Sequence, residues 1–154
     1  MPRLAEFARG ATVFTRAYAQ APNTPRSFPS FLTSRYPSKV AWEKIGLNFS
    51  PILPENLTFF ESLQQAGLHT VAEFSHFYAE PKTGIQQGFD EWHNDGALTL
   101  HDSNTDIAAP RITARVKQRL ATLAKSKQRF ALWTHLFDPH SRYMEHPGIP
   151  VSGS

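Results

Sequence analysis

Cysteine is absent from the 154 residues, which excludes disulfides, thiolate zinc sites and a cysteine nucleophile while leaving the redox compartment open. Long apolar runs are missing too: the longest, Phe130 to Trp133, is far too short to cross a bilayer. No charged start with an apolar core follows Met1, so no signal peptide is expected. There is no glycine-rich phosphate loop, which sets aside a nucleotide-binding α/β domain of that kind. Nor is charge of one sign concentrated. The net charge is +3, and basic residues gather only at Arg111, Arg115, Lys117, Arg119, Lys125, Lys127 and Arg129. That run is expected to be the wet face of one helix, not a nucleic-acid surface.

What is present is ordinary for a globular domain. Hydrophobic residues at 40% and charged residues at 19% supply a real core and argue against disorder. The length suits one domain. Of the 12 prolines, several lie between Pro22 and Pro54 and mark a loop-rich region.

Leu4, Phe7 and Ala8 recur at helical spacing before Gly10, predicting a short helix over Pro2 to Ala8. Thr12 to Ala19 is β-branched and aromatic and reads as a strand running into a loop at Gln20 to Asn23. A helix then begins somewhere in Thr24 to Phe28, with Phe28, Phe31 and Leu32 as its apolar set. Thr58 and Glu61 have capping-box spacing, and Gly67 supplies the stop of the helix that follows. His69 to Phe77 reads as a strand and Gly84 to Asp95 as a connecting loop. Ile112, Val116, Leu120 and Leu123 share a helical face behind Pro110, and Phe130 to Phe137 reads as a strand covered on both faces. Helices alternating with strands predict an α/β/α sandwich on a largely parallel or mixed sheet, whose ligands gather at the carboxyl ends of the strands. Two loop segments would lie there, 21–30 and 138–143.

In the first, a Thr24-Pro25 pair opens a helix directly after an expected strand, placing a hydroxyl beside amides that attract anions. The plain alternative is that Thr24 is only the N-cap and Pro25 the favoured first helical residue. In the second, Phe137-Asp138-Pro139-His140 delivers a histidine that can bind an anion or protonate a leaving oxygen. Its plain alternative is a histidine in a proline turn with Asp138 capping the strand end.

Ala17 to Pro22 followed by Ser30-Phe31-Leu32-Thr33-Ser34-Arg35-Tyr36-Pro37 resembles the sulfatase stretch in which a nucleophile motif leads into SLLTGRYP. Pro2 to Phe14, Leu57 to Ala72, Gly88-Phe89-Asp90-Glu91-Trp92 and Phe130 to His140 are similar, in the same order, to further sulfatase segments. The resemblance implies an incomplete catalytic domain of the alkaline-phosphatase superfamily over 1–147, with 148–154 as a loop or tail. It implies hydrolysis of a sulfate or phosphate ester with a divalent metal, calcium foremost. Thr24 falls where most sulfatases carry the residue that becomes formylglycine, a conversion closed to threonine, so Thr24 is implied as nucleophile and metal ligand. His140 keeps the position that contacts the ester oxygens. Departures from the pattern are Phe28 at the motif arginine, with Arg26 as a nearby substitute, and a missing lysine near Phe74 to Phe77, where His76 is a remnant substrate contact. Pro29 fits poorly deep in a helix, which suggests a later start capped by Ser27 and makes Ser27 the runner-up nucleophile.

By the same resemblance the carboxylates of the metal site would precede Pro2 and follow Ser154. The isolated chain is therefore expected to hold metal weakly and turn over little. The implied substrate is a small-molecule, glycan or lipid ester, with no nucleic acid and no membrane span. Oligomeric state is open, as is the compartment among exported, periplasmic and membrane-attached. The competing reading is a degenerate, non-catalytic module that binds an anion or a protein partner.

Overall fold

The computed structural model describes residues 2–44, 49–95, 99–138, 140 and 144. Helix α1 (Pro2–Ala8) is followed by an exposed irregular segment and then α2 (Thr24–Thr33). Helix α3 (Phe59–Gln65) leads into β1 (His69–Phe74), and β2 (Glu91–Asn94), α4 (Leu100–Thr105), α5 (Ala109–Lys125) and β3 (Phe130–Thr134) complete the described elements. The strands form one parallel sheet in the order β2-β1-β3.

The register sorts side chains between two faces. Ala72, Trp92 and Trp133 are Cα partners and share one face. Helices α2 and α3 cover it, with Phe28 and Phe31 against Trp133 at ring-centroid distances of 5.3 and 5.2 Å and Phe60 stacked on Trp133 at 5.7 Å. On the other face Val71 partners Glu91 and Leu132, and there α5 packs. The result is the expected α/β/α sandwich.

Local sequence explains the elements that matter. Thr58 accepts from the Glu61 amide at 3.1 Å while the Glu61 carboxylate accepts from the Thr58 amide at 2.7 Å, so the capping box forms and starts α3. The Thr58 hydroxyl also donates to the Gln87 carbonyl at 3.0 Å, tying this cap to the turn before β2. Asp138 accepts from the Ala109 amide at 2.9 Å and thus caps the opening of α5 from 29 residues away.

Several expectations are corrected. Residues 12–19 form no strand: they are exposed and pair with nothing in the sheet, so β-propensity alone has no ladder to join. The strand expected over His69 to Phe77 ends at Phe74, where the chain turns under His76. The segment 84–95, expected as a loop, contains β2. Nor is the basic run of α5 simply wet. Arg111, Arg115 and Arg119, spaced four apart, reach Asp95, Asp106, Glu73 and Glu91 at 2.7 to 3.6 Å. Glu73 is 2% exposed on the central strand, and a carboxylate so buried requires those guanidinium groups beside it. Lys117, Lys125, Lys127 and Arg129 do face solvent.

Candidate functional site

Helix α2 is capped by Asn23, not by Thr24 and not by Ser27. The Asn23 side chain accepts from the Arg26 amide at 3.2 Å, and its carbonyl accepts from the Ser27 amide at 2.9 Å. Thr24 is therefore the first helical residue and Pro25 the second, where a missing N–H costs nothing. With Arg26 capped and Pro25 lacking an amide hydrogen, Thr24's own N–H is the first-turn donor with no protein partner shown among the described residues. The positive end of the α2 dipole lies at the same place.

Pro29 stays inside α2 because its cost is met elsewhere. The donor it lacks would serve the Pro25 carbonyl. The Tyr78 hydroxyl instead lies 3.4 Å from that oxygen. Tyr78 is 2% exposed, and burial pushes its phenol up to about 12 against a smaller opposing pull from Arg26, so it stays a protonated donor.

His76 follows β1. Its ring is buried against Phe137, Phe77 and His135 at centroid distances of 4.4, 4.8 and 5.5 Å. Burial, then the neighbouring His135 and His140, press its pKa down to about 3. It is neutral at any physiological pH. Its Nδ1 accepts from the Tyr78 amide at 3.0 Å, so the single ring proton sits on Nε2, which faces no protein partner among the described residues. Asn94 at the end of β2 clamps this turn. Its Oδ1 accepts from the His76 amide at 3.1 Å and its Nδ2 donates to the His76 and Ala79 carbonyls at 3.0 and 3.2 Å. Asn94→Asp turns both donations into carboxylate–carbonyl oppositions. It is expected to lower the unfolding free energy by about 2–3 kcal/mol; an unchanged urea midpoint would mean that the turn is held without Asn94.

His140, beyond β3, is exposed. Its Nδ1 lies 2.7 Å from Asn104 Oδ1 and its ring stacks on Phe137 at 4.1 Å. With Nδ1–H donated to Asn104, Nε2 is the nitrogen left to exchange a proton.

These pieces meet in one open pocket of about 410 Å3, lined by Ala21, Pro22, Asn23, Thr24, Pro25, Ser27, Phe28, Phe49, His76, Phe77 and His140. Thr24, Ser27, His76 and His140 are thus brought together, from three segments at the carboxyl end of the sheet and at the N-terminus of α2. Arg26 is not part of this lining: its guanidinium lies over the Trp42 ring at 4.6 Å. Phe28, at the place of the motif arginine, lines the pocket and packs its ring edge on His135 at 5.2 Å. Three neighbours of the site escaped sequence reasoning. His135 sits inside an apolar run, Asn94 in a stretch expected as loop, and Tyr78 just past the expected strand. His135, which burial and then His140 hold down to about 4, stacks on Phe74 and has a buried Nδ1 with no partner among the described residues.

The Sulfatase family model matches residues 1–150. The chain belongs to the sulfatase family. No curated protein and no solved structure matches it. Sulfatases generally use a divalent cation. The donors around this pocket are two hydroxyls, an amide and two imidazoles, and no cluster of three or more acidic or histidine side chains is gathered to hold an ion among the described residues. Calcium asks for six or more oxygens, carboxylates foremost. The described residues of this sulfatase-family chain do not make up such a site.

Proposed function

We propose that this chain carries the nucleophile side of a sulfatase-family site that cleaves a sulfate or phosphate ester. The observation that carries the reading is the convergence of Thr24, His76 and His140 on one pocket at the head of α2. Thr24 Oγ1 is the attacking atom. The Thr24 N–H, the α2 dipole and the Nε2–H of His76 face the charge that grows on the non-bridging oxygens. His140 Nε2 accepts the threonine proton as Oγ1 bonds to sulfur or phosphorus. The bond to the ester oxygen breaks on the opposite side, where solvent protonates the leaving alcohol. Water then hydrolyses the threonine ester while the imidazolium returns its proton to Oγ1. The substrate class is an organic ester of either acid.

In the protein that carries this segment, Thr24→Ala is expected to lower hydrolysis of 4-nitrophenyl sulfate or 4-nitrophenyl phosphate by a factor on the order of a thousand or more. Acid quenching of the unaltered protein during turnover is expected to leave a sulfate or phosphate adduct on the Thr24 peptide. Normal rates in Thr24→Ala together with loss in Ser27→Ala would move the nucleophile to Ser27. A second reading, an anion-binding module without turnover, draws support from the apolar Phe28 in the pocket wall. It predicts phosphate binding with no adduct in any variant.

A further inference from the structure

The two halves of the pocket come from segments about 50 residues apart, and one residue touches both. Tyr78 donates its main-chain N–H to His76 Nδ1 and directs its hydroxyl at the carbonyl of Pro25, the residue after Thr24. The first contact decides which nitrogen of His76 carries the proton. The second supplies a donor to the one α2 carbonyl that Pro29 leaves without its helical partner. Tyr78 is itself held in place, since the turn it belongs to is clamped by Asn94 and by the Trp92 indole, whose Nε1 donates to the Ala79 carbonyl at 3.0 Å.

We infer that Tyr78 is the positioning residue of this site: its side chain fixes the first turn of α2, and with it Thr24, at a set distance from the imidazole that its own main chain orients. The inference rests on the functional reading above in its claim that this distance serves anion binding. The physical reason is economy of constraint. A first turn that lacks one of its own hydrogen bonds frays, and a nucleophile on a fraying turn samples many positions. An external donor removes that freedom and, because it belongs to the same residue that orients His76, locks the two donors of the pocket to each other. Proline at position 29 is then part of the device. It vacates the carbonyl so that the bond must come from across the pocket.

The test is a double-mutant cycle of Tyr78→Phe and Pro29→Ala in the full chain, read by amide hydrogen exchange and by titration with inorganic phosphate followed at the Thr24 amide. Tyr78→Phe keeps the buried ring and the main-chain N–H and removes only the hydroxyl. It is expected to speed exchange of the Ser27 and Phe28 amides about tenfold and to weaken phosphate binding about fivefold, with His76 still protonated on Nε2 by its nitrogen shifts. Pro29→Ala restores a helical donor to the Pro25 carbonyl. In that background the same Tyr78→Phe change is expected to alter both readouts less than twofold. A structural role confined to core packing predicts equal effects in the two backgrounds, and that result overturns the inference. Phosphate affinity that is the same in Tyr78→Phe as in the unaltered chain also overturns it, leaving the functional reading intact. No phosphate binding by the unaltered chain sinks the functional reading and the inference together.

Discussion

Gly88→Ala is expected to cost about 2–5 kcal/mol of folding free energy, at the upper end enough to bring a domain of ordinary stability to the edge of unfolding. Gly88 has φ +85°, and a Cβ built on it would lie 2.1 Å from the Glu61 amide nitrogen and 2.6 Å from the Phe60 carbonyl carbon. Both obstacles are backbone atoms of the first turn of α3, so no side-chain rotation relieves them. The left-handed conformation contributes about 1–2 kcal/mol for a residue with a Cβ, and overpacking contributes typically about 1–3 more. Gly67 separates the two terms. Its φ is +78°, but no atom lies within 4 Å of its Cβ position. Gly67→Ala is therefore expected to show the conformational term alone, about 1–2 kcal/mol. Urea midpoints for the two variants check this; equal shifts would mean that α3 gives way at Gly88 without cost.

As pH falls below about 6.5 the domain is expected to lose stability, at a rate that approaches roughly 2.7 kcal/mol per pH unit near pH 5, the slope for two protons taken up on unfolding. The two are those of His76 and His135, held down to about 3 and about 4 chiefly by burial. The unfolded chain takes up protons near the ordinary value of 6.5 while the folded chain does not. Stability from this source is thus whole above about pH 6.5 and drains as pH falls toward the folded values. Asp90, Glu91 and Asp95 act in the same sense, since their folded values are also lowered, but only as pH drops below the ordinary carboxylate range near 4. His135→Phe isolates one proton. Its ring is surrounded by Phe74 and Phe28, so phenylalanine suits the place, and the slope is expected to fall by about half. Denaturant unfolding at pH 7, 6 and 5 measures it. A flat profile in the unaltered chain would show that these imidazoles are reached by water and titrate normally.

How much of this was legible in the sequence depends on how far each determinant reaches along the chain. The α3 cap lies within four residues, Thr58 to Glu61, and could be read directly. So could Pro110 at the opening of α5 and the apolar run that becomes β3. The start of α2 falls within the Thr24 to Phe28 window that the sequence brackets, but the later, Ser27-capped start that Pro29 suggests is not adopted, because proline is tolerated inside this helix. What excuses it is a tyrosine hydroxyl 53 residues from the Pro25 carbonyl, which no local pattern reveals. The sequence Glu91-Trp92-His93-Asn94 has little strand character. It is a strand because β1 lies beside it and because Arg119 neutralises Glu91 at 2.7 Å. Residues 12–19 are the converse, with strand composition but no neighbouring ladder. In the pocket, Thr24 and His140 stood out through the family motif and the expected sheet edge. His135 and Asn94 did not, because their roles are to touch His76, a relation that exists only after folding.

Trp133 touches Phe28, Phe31, Phe60, Phe74 and Phe89, which come from α2, α3, β1 and the turn before β2. The strand that carries it is the last element of the described chain to leave a ribosome. Until it emerges, the earlier helices and strands surround an indole that is not yet there, and their aromatic rings stay open to any apolar surface nearby. Assembly of this core therefore waits on translation of its C-terminal strand. A nascent chain stalled between β2 and β3 would present to cellular chaperones the sticky face that the finished sheet hides.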